Sequence, residues 1–229
     1  MAGSGSEFDS YFDKRASRFA AFYRSEPVAW LLGRGPLFER LNRTVAIIDA
    51  LGAKRVLDVG CGSGPLFAPL ADRGIRVMGI DPAPAMIELA SREAERHHGL
   101  VQVRKLGWEA LHDVNRYDVA VALGVFDYVE RPDLLIRKMA RAAPHVVGSF
   151  PSPGLRLGLR KLRYGARGVR VHGYRREDLV DLARSNGLGV VELIPLGRAG
   201  HLALFGRSPV PARPEGKGTK TSSLPPDRG

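Results

Sequence analysis

The chain has 229 residues, 44% hydrophobic and 26% charged. This composition predicts one globular domain with a large core and excludes a collagen, a coiled coil and a wholly disordered chain. No apolar run approaches the roughly 20 residues of a transmembrane helix and no signal sequence opens the chain, so we expect a cytoplasmic protein. Cys61 is the only cysteine, which excludes an intramolecular disulfide and a cysteine-based zinc cluster. We expect no metal site.

The net charge of +11 is concentrated in two segments. Residues 154–170, which we call the basic insert, hold six cations and no acid. The residues after 206 hold five cations against two acids and are rich in Pro, Gly and Ser. The composition of 207–229 predicts a disordered tail. The rest of the chain is nearly balanced in charge, so an anionic partner would be attracted mainly by these two segments.

Short β-branched runs alternate with helical patterns, which indicates an α/β fold with parallel strands. The strands are predicted at 55–59, 76–80, 101–104, 118–123, 146–150, 190–194 and 202–205. The helices are predicted at 41–51, 84–98, 132–143 and 177–186. Gly99 and Gly187 stand where the second and fourth of these helices would end. The first 50 residues as a whole have a helical pattern, which Pro27 and the stretch 33–36 interrupt.

A glycine-rich turn follows the first predicted strand. Asp58 lies near the end of that strand, and Gly60, Gly62 and Gly64 follow at alternate positions. Glycines permit a tight turn and remove the Cβ atoms that would keep a ligand from the backbone. Asp81 ends the next strand, where a carboxylate can accept both hydroxyls of a ribose. These residues predict a nucleoside-binding site.

The turn does not match the dinucleotide-binding pattern Gly-x-Gly-x-x-Gly, because Pro65 or Phe67 stands at the third glycine position. It matches Asp-x-Gly-x-Gly-x-Gly instead. In this motif, and in the order of elements from about residue 45 to 206, the chain resembles the class I S-adenosylmethionine (SAM)-dependent methyltransferases. The resemblance implies a Rossmann-like α/β fold with a seven-stranded mixed sheet, and SAM as the cofactor.

The resemblance also implies roles for the residues of the turn. Asp58 and the backbone of Gly60 would hold the methionine end of SAM. Gly62 and Gly64 would form the turn beneath the cofactor, and Asp81 would bind the ribose. Cys61 is interpreted as a small filler residue, because no base is identifiable beside it.

The adenine end departs from the family pattern. Family members often have Gly-Asp-Ala after the third strand, whereas residues 106–109 read Leu-Gly-Trp-Glu. Trp108 can stack on adenine or meet it edge-on, and Glu109 can reach its amino group. A tryptophan that only packs under the loop is an equal alternative.

The end of the fourth strand is predicted to face the reacting methyl group. By resemblance, Leu123 lies beside the sulfonium, and family members often carry a histidine at the position of Tyr128. Asp127, Tyr128 and His172 are the candidate catalytic residues, with His201 as a further possible base. Asp127 is alternatively a helix cap or an ion-pair partner, Tyr128 a packing residue at the rim, and the histidines structural.

The N-terminal segment 8–16, which includes Tyr11, resembles an aromatic lead-in of bacterial small-molecule methyltransferases that folds over the cofactor as a lid. We therefore divide the chain into a helical lid at 1–44, a SAM-binding domain at 45–206 and the tail. No Asn-Pro-Pro-Tyr or Asp-Pro-Pro-Tyr follows the fourth strand. In the resembling family this tetrapeptide grips a planar nitrogen during methyl transfer to amino groups of nucleic acids and proteins, so its absence disfavours a nucleic-acid amine as the acceptor.

The basic insert follows the fifth predicted strand. Its cations at 156, 160, 163, 167 and 170 recur at helical spacing beside Leu155, Leu159 and Leu162, which predicts a charged stripe next to an apolar one. Such a substrate cap would suit an anionic acceptor, a membrane surface or RNA, or it is a solvated helix face.

We predict transfer of a methyl group from SAM to a small molecule. Oxygen is the preferred acceptor atom, with carbon and nitrogen as open alternatives, and the preferred acceptor is anionic or lipid-linked. The alternatives are an RNA methyltransferase that uses the basic insert, and a SAM-binding protein without catalysis.

Overall fold

The computed structural model describes residues 35–165 and 170–207. These residues form a seven-stranded sheet in the order β3-β2-β1-β4-β5-β7-β6. Its strands are β1 Arg55–Val59, β2 Arg76–Asp81, β3 Val101–Lys105, β4 Val119–Ala122, β5 His145–Pro151, β6 Leu188–Pro195 and β7 Gly200–Arg207. Strands β1 to β5 are parallel, and β7 runs antiparallel between β5 and β6.

Helices connect the strands on both faces of the sheet. The α-helices of the described residues are α1 Gly35–Ala50, α2 Phe67–Ala71, α3 Pro84–Ala94, α4 Pro132–Ala142, α5 Leu155–Gly165 and α6 Arg176–Ser185. Short 3-10 helices lie at Glu95–His97, Trp108–Ala110 and Gly197–Ala199. The strand order reverses between β1 and β4, and in sheets of this kind ligands bind at the carboxyl ends of the strands beside that point.

The core has two layers, because successive side chains of a strand point to opposite faces of the sheet. Val56 of β1 packs in the layer that α1 and α2 cover. The next residue, Leu57, packs in the layer that α4 and α6 cover. All four residues of β4 are buried, as expected for a central strand with helices on both faces.

The predicted α/β fold with a seven-stranded mixed sheet is confirmed, and each predicted strand is present. The predicted left-handed ending at Gly187 is present, with φ of 70°. The helix predicted at 41–51 begins earlier than expected: α1 starts at Gly35, inside the predicted break at 33–36, because proline is tolerated in the first turn of a helix. This helix continues across the boundary predicted at residue 44. Of the predicted lid, residues 1–34 lie outside the described residues, as does the tail from 208.

Candidate cofactor and acceptor site

The turn after β1 requires its glycines. Gly60, Gly62 and Gly64 have φ of +68°, +55° and +81°, a region that residues with a Cβ rarely adopt. A Cβ on Gly60 would overlap Val125 Cγ2, so the turn also packs closely against the segment after β4. The Gly60 N–H donates to the Ile80 carbonyl at 2.8 Å, which fixes the turn beside the end of β2. The result is a backbone cradle at the point where the strand order reverses.

Asp81 completes the cradle from β2. Its carboxylate accepts the N–H of Gly62 at 3.0 Å and the N–H of Ala83 at 2.9 Å. The residue is 8% exposed. Each carboxylate oxygen has a second lone pair, so Asp81 can accept further hydrogen bonds from a diol while it keeps its backbone partners.

Asp58 contributes a second buried carboxyl at the end of β1. Burial, and then the negative charge of Asp81, raise its pKa to about 7, although the positive charge of Arg40 acts in the opposite direction. A cationic ligand group between these acids would favour the ionised form of Asp58. SAM has a diol, a sulfonium and an amino group, so the cradle and its two acids fit this cofactor.

Arg40 is a site residue that the sequence analysis missed. Its Nη1 donates to Ser149 Oγ at 3.3 Å, and the same oxygen accepts the N–H of Gly124 at 2.8 Å. The guanidinium therefore lies over the ends of β4 and β5, close enough to Asp58 to lower its pKa. No sequence signal indicated this role; in the structure Arg40 stands four residues before the fully buried Thr44 on α1, so it lies on the inner side of that helix.

The residues predicted at the adenine end form a 3-10 turn after β3. The Leu106 N–H donates to the Asp81 carbonyl at 3.1 Å, which places this turn next to Asp81, the predicted ribose ligand. Trp108 is half-buried against the core, and Glu109 is exposed. Leu123 is half-buried at the end of β4, and Tyr11 lies outside the described residues. Their cofactor-binding roles stay predictions.

The three candidate catalytic residues come together beyond β4. The His172 N–H donates to the Asp127 carbonyl at 2.8 Å, which joins the two segments. Arg160 of α5 binds Asp127 Oδ2 at 2.6 Å and the Tyr128 hydroxyl at 3.3 Å. Arg160 was predicted only as one cation of the charged stripe, and the structure places it in this cluster. His201 contacts another residue: its Nδ1 lies within hydrogen-bond distance of Ser152 Oγ, at 3.1 Å.

The polar groups of this cluster differ in what they can do. Burial and the nearby charge of Asp127 raise the pKa of Tyr128, so its phenol stays protonated at neutral pH. The Asp127 carboxylate is held by Arg160. His172 Nε2 is shielded from solvent and has no hydrogen-bond partner within the described ranges. Buried polar atoms are rarely left unpaired, so this nitrogen marks a position for a ligand group.

The basic insert forms a helix, but with a different arrangement from the predicted one. Helix α5 spans Leu155–Gly165, residues 166–169 lie outside the described residues, and Arg170 is not helical, so the predicted stripe does not include it. Leu157 packs so closely over Gly173 that a Cβ there would overlap it, and this contact attaches α5 to the segment before α6. Arg170 Nη1 instead lies 3.4 Å from Glu130 Oε1.

Within the residues that the structure describes, no group of His, Cys, Asp and Glu side chains could hold a metal ion.

The cradle, its acids and the strand order define a nucleoside-binding α/β protein of the methyltransferase type. A family model described as a methyltransferase domain matches residues 30–193, and the chain belongs to this family. The predicted membership of the class I SAM-dependent methyltransferases, with SAM as the cofactor, is confirmed at the level of the family.

Curated relatives match about half of the chain. The ubiquinone biosynthesis O-methyltransferase of Bradyrhizobium diazoefficiens is 29% identical over 123 residues, which are 54% of this chain and 49% of that protein. The enzyme of the same name from Azorhizobium caulinodans is 33% identical over 122 residues, 53% of this chain and 48% of that protein. The chain thus spans about half the length of these relatives.

A solved structure matches over more of the chain. The magnesium protoporphyrin IX methyltransferase of Synechocystis PCC 6803, crystallised with bound S-adenosylhomocysteine (SAH), has a TM-score of 0.74 at 23% identity. The match covers 88% of this chain and 98% of that one, and it shows a shared fold.

None of the helices that the structure describes has the length and apolar character needed to cross a bilayer.

Proposed function

We propose that the chain transfers the methyl group of SAM to a hydroxyl oxygen of a small, anionic or lipid-linked acceptor. The observation that carries the proposal is the pair of buried acids, Asp58 and Asp81, around the cradle of positive-φ glycines. The choice of oxygen is supported by the O-methyltransferase relatives. The negative charge of the acceptor is supported by Arg160, whose guanidinium lies against Asp127 and the Tyr128 hydroxyl.

Residues of this chain would hold the cofactor by complementary charge and hydrogen bonding. Asp81 accepts the ribose hydroxyls, Asp58 stabilises the cationic end, and Arg40 attracts the methionine carboxylate. When bound, SAM supplies an electrophilic methyl group. Asp58 and Arg40 thus offer opposite charges to the amino and carboxylate groups of the methionine end, so that each buried charge has a partner.

On the acceptor side, the proposed contributions are positioning and control of one proton. His172 Nε2 accepts the hydroxyl proton of the acceptor, and Tyr128 donates a hydrogen bond to the same molecule. Arg160 exchanges part of its contact with Asp127 for an anionic group of the acceptor. Helix α5 covers this region and limits the access of water, which favours an in-line approach of the acceptor oxygen.

The first test uses SAM that carries a deuterated methyl group, added with the protein to an extract of its source organism. Mass spectrometry should find a deuterated small-molecule product. SAM binding without any product would instead indicate a non-catalytic SAM-binding protein. Labelling that is lost after ribonuclease treatment would indicate an RNA methyltransferase.

The second test examines the proton acceptor with the product identified in that way. His172→Ala should reduce kcat by roughly a hundredfold, the usual contribution of a general base, while calorimetry shows unchanged affinity for SAH. The matched control is His112→Ala, which removes an exposed histidine and should leave kcat unchanged. An unchanged kcat in His172→Ala contradicts the assigned role.

A further inference from the structure

We propose that the outer face of helix α5 docks on an anionic lipid surface. Leu155, Leu159 and Leu162 form what we call the leucine face, and they are 83%, 60% and 76% exposed. Their spacing of four and three places them on one side of the helix. Of the five large hydrophobic residues exposed in the described ranges, these three lie on this one helix. Clustered apolar exposure of this kind marks an interaction surface.

The charge around the leucine face selects the partner. Helix α5 contains no acid, and Lys161 and Arg163 are exposed on the same helix as the leucines. A helix that lies in a membrane interface has an apolar face that enters the acyl boundary and flanking cations that meet anionic headgroups. An anionic lipid surface offers an acyl boundary for the leucines and negative headgroups for the cations. An RNA backbone would match the cations but leave the leucines in water.

The two sides of α5 then have different tasks. On its inner side, Arg160 binds Asp127 and Leu157 packs over Gly173. On its outer side is the leucine face. Docking would therefore place the acceptor cluster directly beneath the lipid surface, so that a lipid-linked acceptor can enter without crossing bulk water. This consequence rests on the proposed function, whereas the docking itself does not.

The test is sedimentation of the full chain with vesicles of phosphatidylcholine alone or of phosphatidylcholine mixed with phosphatidylglycerol. We expect binding to the mixed vesicles and much weaker binding to phosphatidylcholine. In the triple variant Leu155→Ser, Leu159→Ser, Leu162→Ser, the affinity for the mixed vesicles should fall by roughly tenfold or more. The control is Val114→Ser with Val191→Ser, two residues exposed by 50% and 61% elsewhere, which should bind as the unchanged chain does.

A second pair of variants separates the basic insert from the basic tail. Lys161→Gln with Arg163→Gln should weaken binding to mixed vesicles several-fold. Lys217→Gln with Lys220→Gln removes the same number of charges from the tail and should have the smaller effect. SAH affinity, measured by calorimetry, should be the same in all these variants and shows that they are folded.

Three results would overturn the docking proposal. The first is equal vesicle binding by the triple leucine variant and the unchanged chain. The second is a dimer in solution that the triple variant abolishes, because the leucine face would then be covered by a second copy. The third is RNA binding that depends on the basic insert in a chain that does not bind vesicles. If vesicles bind as expected but SAM is not consumed, the proposed function fails and the docking surface stands.

Discussion

The two halves of the candidate site are built in different ways. The cofactor half comprises β1, β2 and the turn between β1 and α2, and its polar contacts are mostly made by backbone groups. The acceptor half comprises the segment after β4, residues 171–174 and helix α5. It depends on side chains that are far apart in the chain, since Arg160 and Asp127 are separated by 33 residues.

This difference shows what holds each half in place. In the cofactor half, the carboxylate of Asp81 accepts hydrogen bonds from the N–H groups of Gly62 and Ala83, and the buried strand β1 and helix α2 fix the two ends of the turn. The acceptor half is attached by the hydrogen bond from the His172 N–H to the Asp127 carbonyl, by the contacts of Arg160, whose side chain is 35% exposed, and by the packing of Leu157. The cofactor half is therefore the more rigid of the two, and the acceptor half is where substrates of different shape can be accommodated.

The largest expected effect concerns the buried acid of the cofactor half. The pKa of Asp58 is raised to about 7 in the folded protein, above its ordinary value of 3.8. Between these values the folded state binds the extra proton, so wild-type stability falls as the pH rises toward 7. Asp58→Asn removes this titration. The stability of the variant relative to wild type should increase by about 2 to 3 kcal/mol from pH 5 to pH 8.

Chemical denaturation at several pH values measures this difference without a ligand. Asp133→Asn is the control, because its hydrogen bond with Arg131 lowers the pKa of Asp133 and keeps it ionised across this range. The control should show no change in relative stability between pH 5 and pH 8. A flat profile for Asp58→Asn would show that the acid is solvated and that the cofactor half is more open than described.

The fold and the cofactor half could largely be predicted from the sequence. Strand periodicity and glycine spacing are local signals, and Asp58, Gly60 and Asp81 lie within 24 residues of one another. Each predicted strand is present, and its first and last residues lie within two residues of the predicted ones. Parallel strands bring their carboxyl ends to one edge of the sheet, so the position of both acids follows from the topology alone.

The contacts of the acceptor half could not be predicted in this way. Asp127, Tyr128 and His172 were predicted as candidate catalytic residues. The pairing of Asp127 with Arg160 could not be predicted, because it depends on how α5 lies over the sheet. Helical periodicity groups Arg160 with the other cations of the basic insert and does not show which cation faces inward. Arg40 was missed for the same reason, because its partners Ser149 and Asp58 lie on other elements.

A smaller effect is expected from the ribose acid. Asp81→Ala removes a buried carboxylate that would accept hydrogen bonds from the cofactor, and it leaves the N–H groups of Gly62 and Ala83 without this acceptor. The affinity for SAH should fall by about 2 kcal/mol, the scale of a lost hydrogen bond to a charged group. Calorimetry measures the loss, and Asp72→Ala, an exposed acid, is the control. Unchanged SAH affinity in Asp81→Ala would contradict its assigned role.

The smallest effect concerns the ion pair of the acceptor half. A double-mutant cycle with Asp127→Asn and Arg160→Gln should give a coupling free energy of about 0.5 to 1 kcal/mol, because solvent screens the partly exposed arginine. The same cycle on Arg131 and Asp133, whose side chains are 63% and 37% exposed, should give a smaller value. Equal coupling in both cycles would mean that Arg160 is solvated like a surface residue. Helix α5 would then depend mainly on the packing of Leu157 over Gly173 and on the ring contact of Tyr164 with Tyr128 for its position.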